Sequence, residues 1–301
     1  MTLAAVVKRM YERILVPVDG SECGRAAARY GFAFAAATGA TVDIVHIVDT
    51  TLPTIGGRMT DSERQERGES IVETAAEKSQ AFDCTVETHL REGSPEREIV
   101  AIADDLGAEL IVMGRQGTHN LRERLLGGVT EHVVRHADQS VLVVPLGTDV
   151  TTASVSKLLV PTDGSDAATA AIGPATNLAA AFDAKITVFT AVDIQAAGSS
   201  FSAGGVSEEF IERLQSEGRE TVETFANAIR NSQPGLSVET IVQRGTAHEE
   251  IASCATEIDA DVIVMASHGR TGLKRHLLGS VADRVLRVAE TPVLVATQSG
   301  P

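Results

Sequence analysis

The chain repeats itself, and no other feature constrains its fold as strongly. Residues 11–49, YERILVPVDGSECGRAAARYGFAFAAATGATVDIVHIVD, align with residues 155–193, VSKLLVPTDGSDAATAAIGPATNLAAAFDAKITVFTAVD. The offset is 144, and 14 of 39 positions are identical. Residues 93–143 align with residues 245–295 at an offset of 152, with 20 of 51 identical. The second copy therefore carries 8 extra residues between the two blocks. Two long copies describe a duplicated domain, not a solenoid of short repeats. The 301 residues suit two domains of about 150 each. The boundaries are placed at 1–147 and 155–301. Residues 148–154 are the linker, inside the polar, aperiodic stretch LGTDVTTASVS.

Within each copy, short apolar runs alternate with longer amphipathic stretches. In the first copy ILVPV (Ile14–Val18) reads as a strand ending in the turn Asp19-Gly20-Ser21. Ser21 suits the N-cap of a following helix, and Gly39 suits its stop. TVDIVHIV (Thr41–Val48) is a second strand and TVETHL (Thr85–Leu90) a third, with an amphipathic segment near Ser62–Phe82 between them. Pro95–Leu106 reads as a helix, since proline is tolerated in a first turn. LIVMG (Leu110–Gly114) is a buried strand. A glycine-rich loop then leads to a helix near Val129–His136 and the last strand, Val141–Val144. Strands alternating with helices imply βαβ crossovers and a parallel sheet covered on both faces. In the second copy Gly173-Pro174 falls inside the first helix, where a break is expected.

Composition narrows the function. Hydrophobic residues make up 43% and charged residues 22%, as in ordinary globular proteins. No apolar run approaches the roughly 20 residues of a membrane helix. The N-terminus is apolar first and basic afterwards, the reverse of a secretory signal. Cys23, Cys84 and Cys254 lie far apart without CxxC spacing, which disfavours zinc sites and disulfides and fits a reducing cytoplasm. The net charge of −15 divides into −8 (residues 1–150) and −7 (151–301). Such a surface repels nucleic acid and anionic membranes. Only 5 of the 26 basic residues are Lys. That balance suits a salty cytoplasm, and a GC-rich genome also favours Arg.

Open α/β sheets bind ligands beyond the carboxyl ends of their strands, at the switch point. Two features of each copy fall there. One is Asp19, or Asp163 in the second copy, a carboxylate able to accept hydrogen bonds from a base or ribose. The other is the loop Gly114-Arg115-Gln116-Gly117, nine residues, Gly127-Gly128, or Ala266-Ser267-His268-Gly269, nine residues, Gly279-Ser280. Glycine-rich backbone feeding a helix lets N–H groups approach phosphates, aided by the helix dipole. Neither loop is a Walker A loop, since no GKS or GKT occurs, and neither is GxGxxG.

The spacing G-x2-G-x9-G-S/T resembles the ATP-binding motif of universal stress proteins. So do VPVDGS and VPTDGS at strand 1, IVHIVD at strand 2, and SHGRTGLKRHLLGSVADRVL. The resemblance covers nearly the whole chain, twice. It implies an α/β architecture of two tandem Rossmann-like domains, each a five-stranded parallel sheet of order 3-2-1-4-5 flanked by helices. It also implies bound ATP, ADP or AMP, with or without Mg²⁺. The family's adenine-contacting aspartate falls on Asp19 and Asp163, and its strand 2 adenine contact on Ile47 and Ala191. Its loop residues fall on Met113, Gly114, Gly117, Gly127, Gly128 and Val129. In the second copy they fall on Met265, Ala266, Gly269, Gly279, Ser280 and Val281. The first copy departs from the motif at Gly128, where the family has Ser or Thr. The second departs at Ala266, where the family has Gly, but it keeps Ser280, with Arg270 and Lys274 nearby to offset phosphate charge. Both copies are expected to bind, the second more tightly.

Competing readings have local explanations. His132 and His136 have a metal-like spacing but no third ligand or HExxH frame, so they read as helix-surface histidines. Ser267-His268 lacks a GxSxG elbow and an orienting acid, so His268 reads as loop packing or a ligand-edge contact. Asp19 and Asp163 also suit turn capping, and Met113 and Met265 suit core packing. No evident base, arginine finger or Mg²⁺-binding carboxylate pair accompanies the cradle, which favours binding over catalysis. The expected function is thus an adenine-nucleotide-binding stress or signalling module acting through an unknown protein partner. A slow ATP hydrolase and a nucleotide-free structural pseudo-dimer remain the alternatives. In family dimers the last strand packs against its counterpart. Val141–Val144 and Val293–Val295 are therefore expected to form an intrachain pseudo-dimer, with a homodimer of tandem chains as a further level.

Overall fold

Apolar runs rich in Val, Ile and Leu become the parallel strands of both units. The computed structural model describes residues 11–51, 60–117, 125–148, 155–194, 207–269 and 278–297. The linker residues 149–154, and Arg270 and Lys274, lie outside the described residues. The chain divides into two compact units; most residues up to Ser154 form the first, and those from Val155 onward belong to the second.

The first unit contains β1 (Arg13–Pro17), β2 (Thr41–Asp49), β3 (Thr85–Gly93), β4 (Leu110–Gly114) and β5 (Ser140–Val144), ordered β3-β2-β1-β4-β5. Every neighbouring pair is parallel, with Leu15 opposite Asp43 and Ile111, Asp43 opposite Glu87, and Val112 opposite Leu142. The second unit repeats this with β6 (Lys157–Pro161), β7 (Lys185–Val192), β8 (Val238–Arg244), β9 (Val262–Ala266) and β10 (Val293–Ala296), ordered β8-β7-β6-β9-β10. Its pairs are parallel too. The expected order 3-2-1-4-5 is present in both units. All residues of β4 and β9 are buried, as strands covered on both faces must be.

The helices of the first unit are α1 (Glu22–Thr38), α2 (Asp61–Ser79), α3 (Pro95–Leu106) and α4 (Gly128–His136). Ser21 caps α1, its side chain accepting a hydrogen bond from Gly24 N–H at 2.9 Å. Gly39 ends α1 at φ +74°, in the left-handed region that glycine enters without steric cost. The second unit has α5 (Ile172–Phe182), α6 (Glu208–Ser232), α7 (Ala247–Glu257) and α8 (Ser280–Val288). The break expected at Gly173-Pro174 is present. A 3₁₀ turn over Ala167–Ala171 replaces the start of the first helix, and α5 begins at Ile172. Pro174 then stands in the first turn of α5, where a missing N–H leaves no intrahelical bond broken.

One polar cluster lies in the first sheet. Asp43, fully buried on β2, accepts two hydrogen bonds from the Arg13 guanidinium, at 2.6 and 2.9 Å. His89 Nε2 lies 2.8 Å from Asp43 Oδ1, and Arg13 also reaches Glu87 at 2.9 Å. Buried charge is tolerated only when paired in this way. The second sheet has Thr187 at the position of Asp43, and Thr187 donates to Glu239 at 3.1 Å.

Candidate functional site

Parallel strands end together, so residues that follow their C-termini meet at one end of the sheet. In the second unit Asp163 follows β6, and Met265 and Ala266 close the adjacent β9. All eight residues singled out in this copy line one cavity: Asp163, Ala191, Met265, Ala266, Gly269, Gly279, Ser280 and Val281. Its volume is about 280 Å³, just below the roughly 300–1,000 Å³ range of ligand pockets.

The loop is closed by backbone bonds. Ser267 N–H donates to Ala296 C=O at 3.0 Å, and Gly279 N–H donates back to Ser267 C=O at 2.8 Å. The first unit repeats both, with Arg115 N–H to Val144 C=O and Gly127 N–H to Arg115 C=O, each at 2.9 Å. The nine-residue insertion is thus pinched at its base, and the following helix starts at a fixed place. Neither α4 nor α8 has a side-chain hydrogen bond at its N-cap, which is Gly127 or Gly279. Their first-turn N–H groups and dipoles are arranged as an anion site requires.

Each aspartate has two separate contacts. Asp163 Oδ1 accepts from Ser165 N–H at 3.0 Å and from Ser165 Oγ at 2.6 Å. Asp19 Oδ1 accepts from Ser21 N–H at 2.9 Å. These bonds shape the turn. The other oxygen faces the loop: a Cβ built on Gly269 would stand 2.4 Å from Asp163 Oδ2, and one on Gly117 2.6 Å from Asp19 Oδ2. Only glycine permits that approach. In the first unit the structure thus brings Asp19 against Gly117, while Gly127 packs beside Arg115 C=O and Gly117 N. Ile47 and Met113 lie buried near the C-terminal ends of β2 and β4, and Gly128 and Val129 open the first turn of α4.

The two departures from the motif have different surroundings. A Cβ on Gly114 would meet the Cys23 backbone at 2.9 Å, at the start of α1. In the second unit the opposing segment begins with Ala167 and is a 3₁₀ turn, and there Ala266 carries its methyl at the cavity wall. At Gly128 a Cβ would meet nothing within 4 Å. Glycine is not sterically required there, and a hydroxyl is simply missing.

Several lining residues were not singled out by motif, among them Thr162, Phe189, Thr190, Ala247 and Ile251. Thr162 adjoins Asp163, and Phe189 and Thr190 precede Ala191, so proximity in sequence was a usable signal. Ala247 and Ile251 sit one helical turn apart on α7, and nothing in the motif marks them. His268 lines the cavity, as the ligand-edge reading allows. Its Nδ1 lies 2.7 Å from Ser267 Oγ, and among the described residues its buried Nε2 has no partner. Burial holds its pKa below the usual histidine value. No orienting acid sits at Nε2, where a nucleophilic dyad would need one.

Metal ligation has one geometric candidate among the described residues, and it is not the His132/His136 pair. Those rings stack at 4.0 Å, and His136 Nδ1 pairs with His132 C=O at 2.8 Å, an ordinary helix-surface arrangement. The ligand atoms of Asp43, Glu87 and His89 lie within 4.8 Å of one another. Arg13 already supplies the cation there, bonding both Asp43 oxygens.

Comparison with known proteins agrees with the duplicated architecture. The family model described as universal stress protein family matches residues 10–145 and again 155–297. A universal stress protein of Methanocaldococcus jannaschii is 38% identical over 46% of this chain and 80% of its own length. One from Mycobacterium tuberculosis is 28% identical over 97% of this chain and 99% of its own. A crystal structure of a universal stress protein from Archaeoglobus fulgidus shares the fold. Its TM-score is 0.68 at 22% identity, covering 96% of this chain and 97% of that one. No helix among the described residues is long and apolar enough to cross a membrane. Two matches of the family model, end to end along one chain, make this protein a member of the universal stress protein family with two family domains in tandem.

Proposed function

We propose that each unit binds an adenine nucleotide, ATP first among them, and that the chain acts through a protein partner as a nucleotide-responsive stress module. The observation that supports this reading is that the eight residues the resemblance picks out all line the cavity of the second unit. In this reading the α8 N-terminus, with Ser280 Oγ, holds the phosphates, and Mg²⁺ accompanies them from solvent. Asp163 accepts from the base or ribose, and Met265 packs against the adenine. Asp19, Gly117, Gly127 and Val129 serve the same roles in the first unit. That site is the weaker, because Gly128 offers no hydroxyl. Binding rather than turnover is proposed, since among the described residues no acid orients His268.

The test is mass measurement of small molecules released when the purified protein is denatured, followed by equilibrium dialysis with ATP. Retained or dialysable adenine nucleotide supports the reading. A folded protein that neither carries nor takes up adenine nucleotide contradicts it.

A further inference from the structure

A second cavity lies in the first unit, in the groove between α1 and α2, with a volume of about 710 Å³. Its floor is apolar at the half-buried Ile71 and Ala75, and Phe32, which also borders it, is fully buried. Its walls carry four cations, Arg25 and Arg29 from α1 and Arg67 and Lys78 from α2, against one acid, Glu22. This concentration stands out in a chain of net charge −15. The spacing is helical: Arg25 and Arg29 are one turn apart, and Arg67, Ile71, Thr74 and Lys78 follow one face of α2. The acids that follow on α2, Glu69, Glu73 and Glu77, do not line the groove. Among the described residues the side chains of Arg29, Arg67 and Lys78 make no ion pair or hydrogen bond, and the Arg25 guanidinium bonds only Gly20 C=O, at 2.5 Å. Four like charges on one groove repel one another, and Glu22 alone in the lining offsets them.

The second unit shows that the fold does not demand this. Gly20 packs against Ile71 and Gly164 against Thr221, while Gly68 and Gly218 both pack on the second and third strands of their sheets. These contacts align α2 with α6 at an offset of 150. Arg67 then corresponds to Glu217, Ala75 to Phe225 and Lys78 to Ala228. On the first helix, Arg25 and Arg29 correspond to Thr169 and Gly173. None of the four cations is repeated, and Ala75 gives way to the buried Phe225.

We propose that the groove between α1 and α2 binds an amphipathic phosphate: an apolar body on Ile71 and Ala75, and an anionic head among Arg25, Arg29, Arg67 and Lys78. Arginine suits this use, because its planar fork pairs phosphate oxygens two at a time. The groove is separate from the proposed nucleotide site, although the Asp19–Gly20 turn adjoins both. The same chemistry is offered by a free phosphomonoester with an aromatic or alkyl body and by an anionic lipid headgroup.

The experiment is calorimetry of 1-naphthyl phosphate with the full chain, in the presence of saturating ATP. The expected result is one site per chain, with 1-naphthol and inorganic phosphate each binding more weakly. Arg29→Glu with Arg67→Glu should weaken binding at least about tenfold, the scale of a lost hydrogen bond to a charged group. Ala75→Phe should do the same by filling the floor, and Phe225 shows that the fold accepts this side chain. Circular dichroism confirms that the variants are folded. Sedimentation with phosphatidylglycerol vesicles separates the two sources. Loss of co-sedimentation in the charge-reversed variant assigns the lipid, and no co-sedimentation of the wild-type chain assigns the free ester. No binding of 1-naphthyl phosphate overturns the proposal, as does binding unchanged in both variants. So does binding that ATP displaces, which would place the ester in the nucleotide site.

Discussion

The Asp163 carboxylate lies so close to the backbone of Gly269 that a Cβ there would stand 2.4 Å from Oδ2. Asp19 and Gly117 repeat the relationship at 2.6 Å. The aspartate after the first strand and the glycine of the loop are therefore one structural unit, used twice. Its other oxygen is anchored through Ser165 or Ser21, so it cannot retreat without breaking the turn.

Gly269→Ala tests that unit. The methyl must displace the carboxylate from its turn bonds, costing about 1 kcal/mol of stability, the usual worth of a hydrogen bond. Urea unfolding should show this loss, and the second-unit nucleotide affinity should fall with it. An unchanged midpoint and affinity would mean that the contact has no role.

Gly128→Ser should tighten nucleotide binding in the first unit. The added Cβ meets nothing within 4 Å, so the change is sterically free. A hydrogen bond to a charged group is worth about 1.5–3 kcal/mol, or roughly 10–100-fold in affinity. The measurement is ATP affinity in a chain whose second unit carries Gly279→Asp. Equal or weaker binding counts against the assignment.

Arg13→Met should destabilise the first unit strongly. It leaves Asp43, fully buried, without its two guanidinium bonds, with His89 as its remaining hydrogen-bond partner and the Glu87 carboxylate within 4.8 Å. Removing one partner of a buried pair costs about 3–5 kcal/mol. Denaturant unfolding that shows less than about 1 kcal/mol would contradict the pairing.

Acid should weaken the fold through two histidines. Burial lowers the pKa of His268, and burial followed by repulsion from His136 lowers that of His132, both from an ordinary 6.5. Below pH 6.5 the unfolded chain takes up protons that the folded chain resists, so stability falls with pH. It is complete above 6.5 and declines toward the lowered folded values. The urea midpoint should therefore drop more between pH 7.5 and 5.5 in the wild type than in a His132→Gln, His268→Gln variant. A larger drop in the variant would reverse the sign and refute the argument.

Most strand and helix positions were legible because the signals are local, whereas the strand order came only with the family resemblance. LIVMG is β4 at Leu110–Gly114, and Pro95–Leu106 is α3, to the residue. Ser21 and Gly39 act as caps because their chemistry does not depend on distant contacts. The break before Pro174 followed from its missing donor. What escaped was set by tertiary packing. The 25-residue α6 is six longer than the 19-residue α2, and the polar sequence between the repeated blocks did not reveal it. Asp43 reads as one polar residue in an apolar strand, and only the register against Glu87 shows why it is tolerated. Of the candidate site, the motif marked the loop and the aspartates. Ala247 and Ile251 reach the cavity from α7 through a crossover that no spacing rule encodes.

Calorimetric titration of ATP into the intact chain and into Gly279→Asp tests the central claim most directly. The substitution sets a carboxylate at the N-terminus of α8, where the added Cβ would stand 3.2 Å from Ser267 C=O. Negative charge and bulk there oppose a phosphate. The account predicts two binding events in the wild-type chain and loss of the tighter one in the folded variant. Unchanged stoichiometry and affinity in folded Gly279→Asp would contradict it.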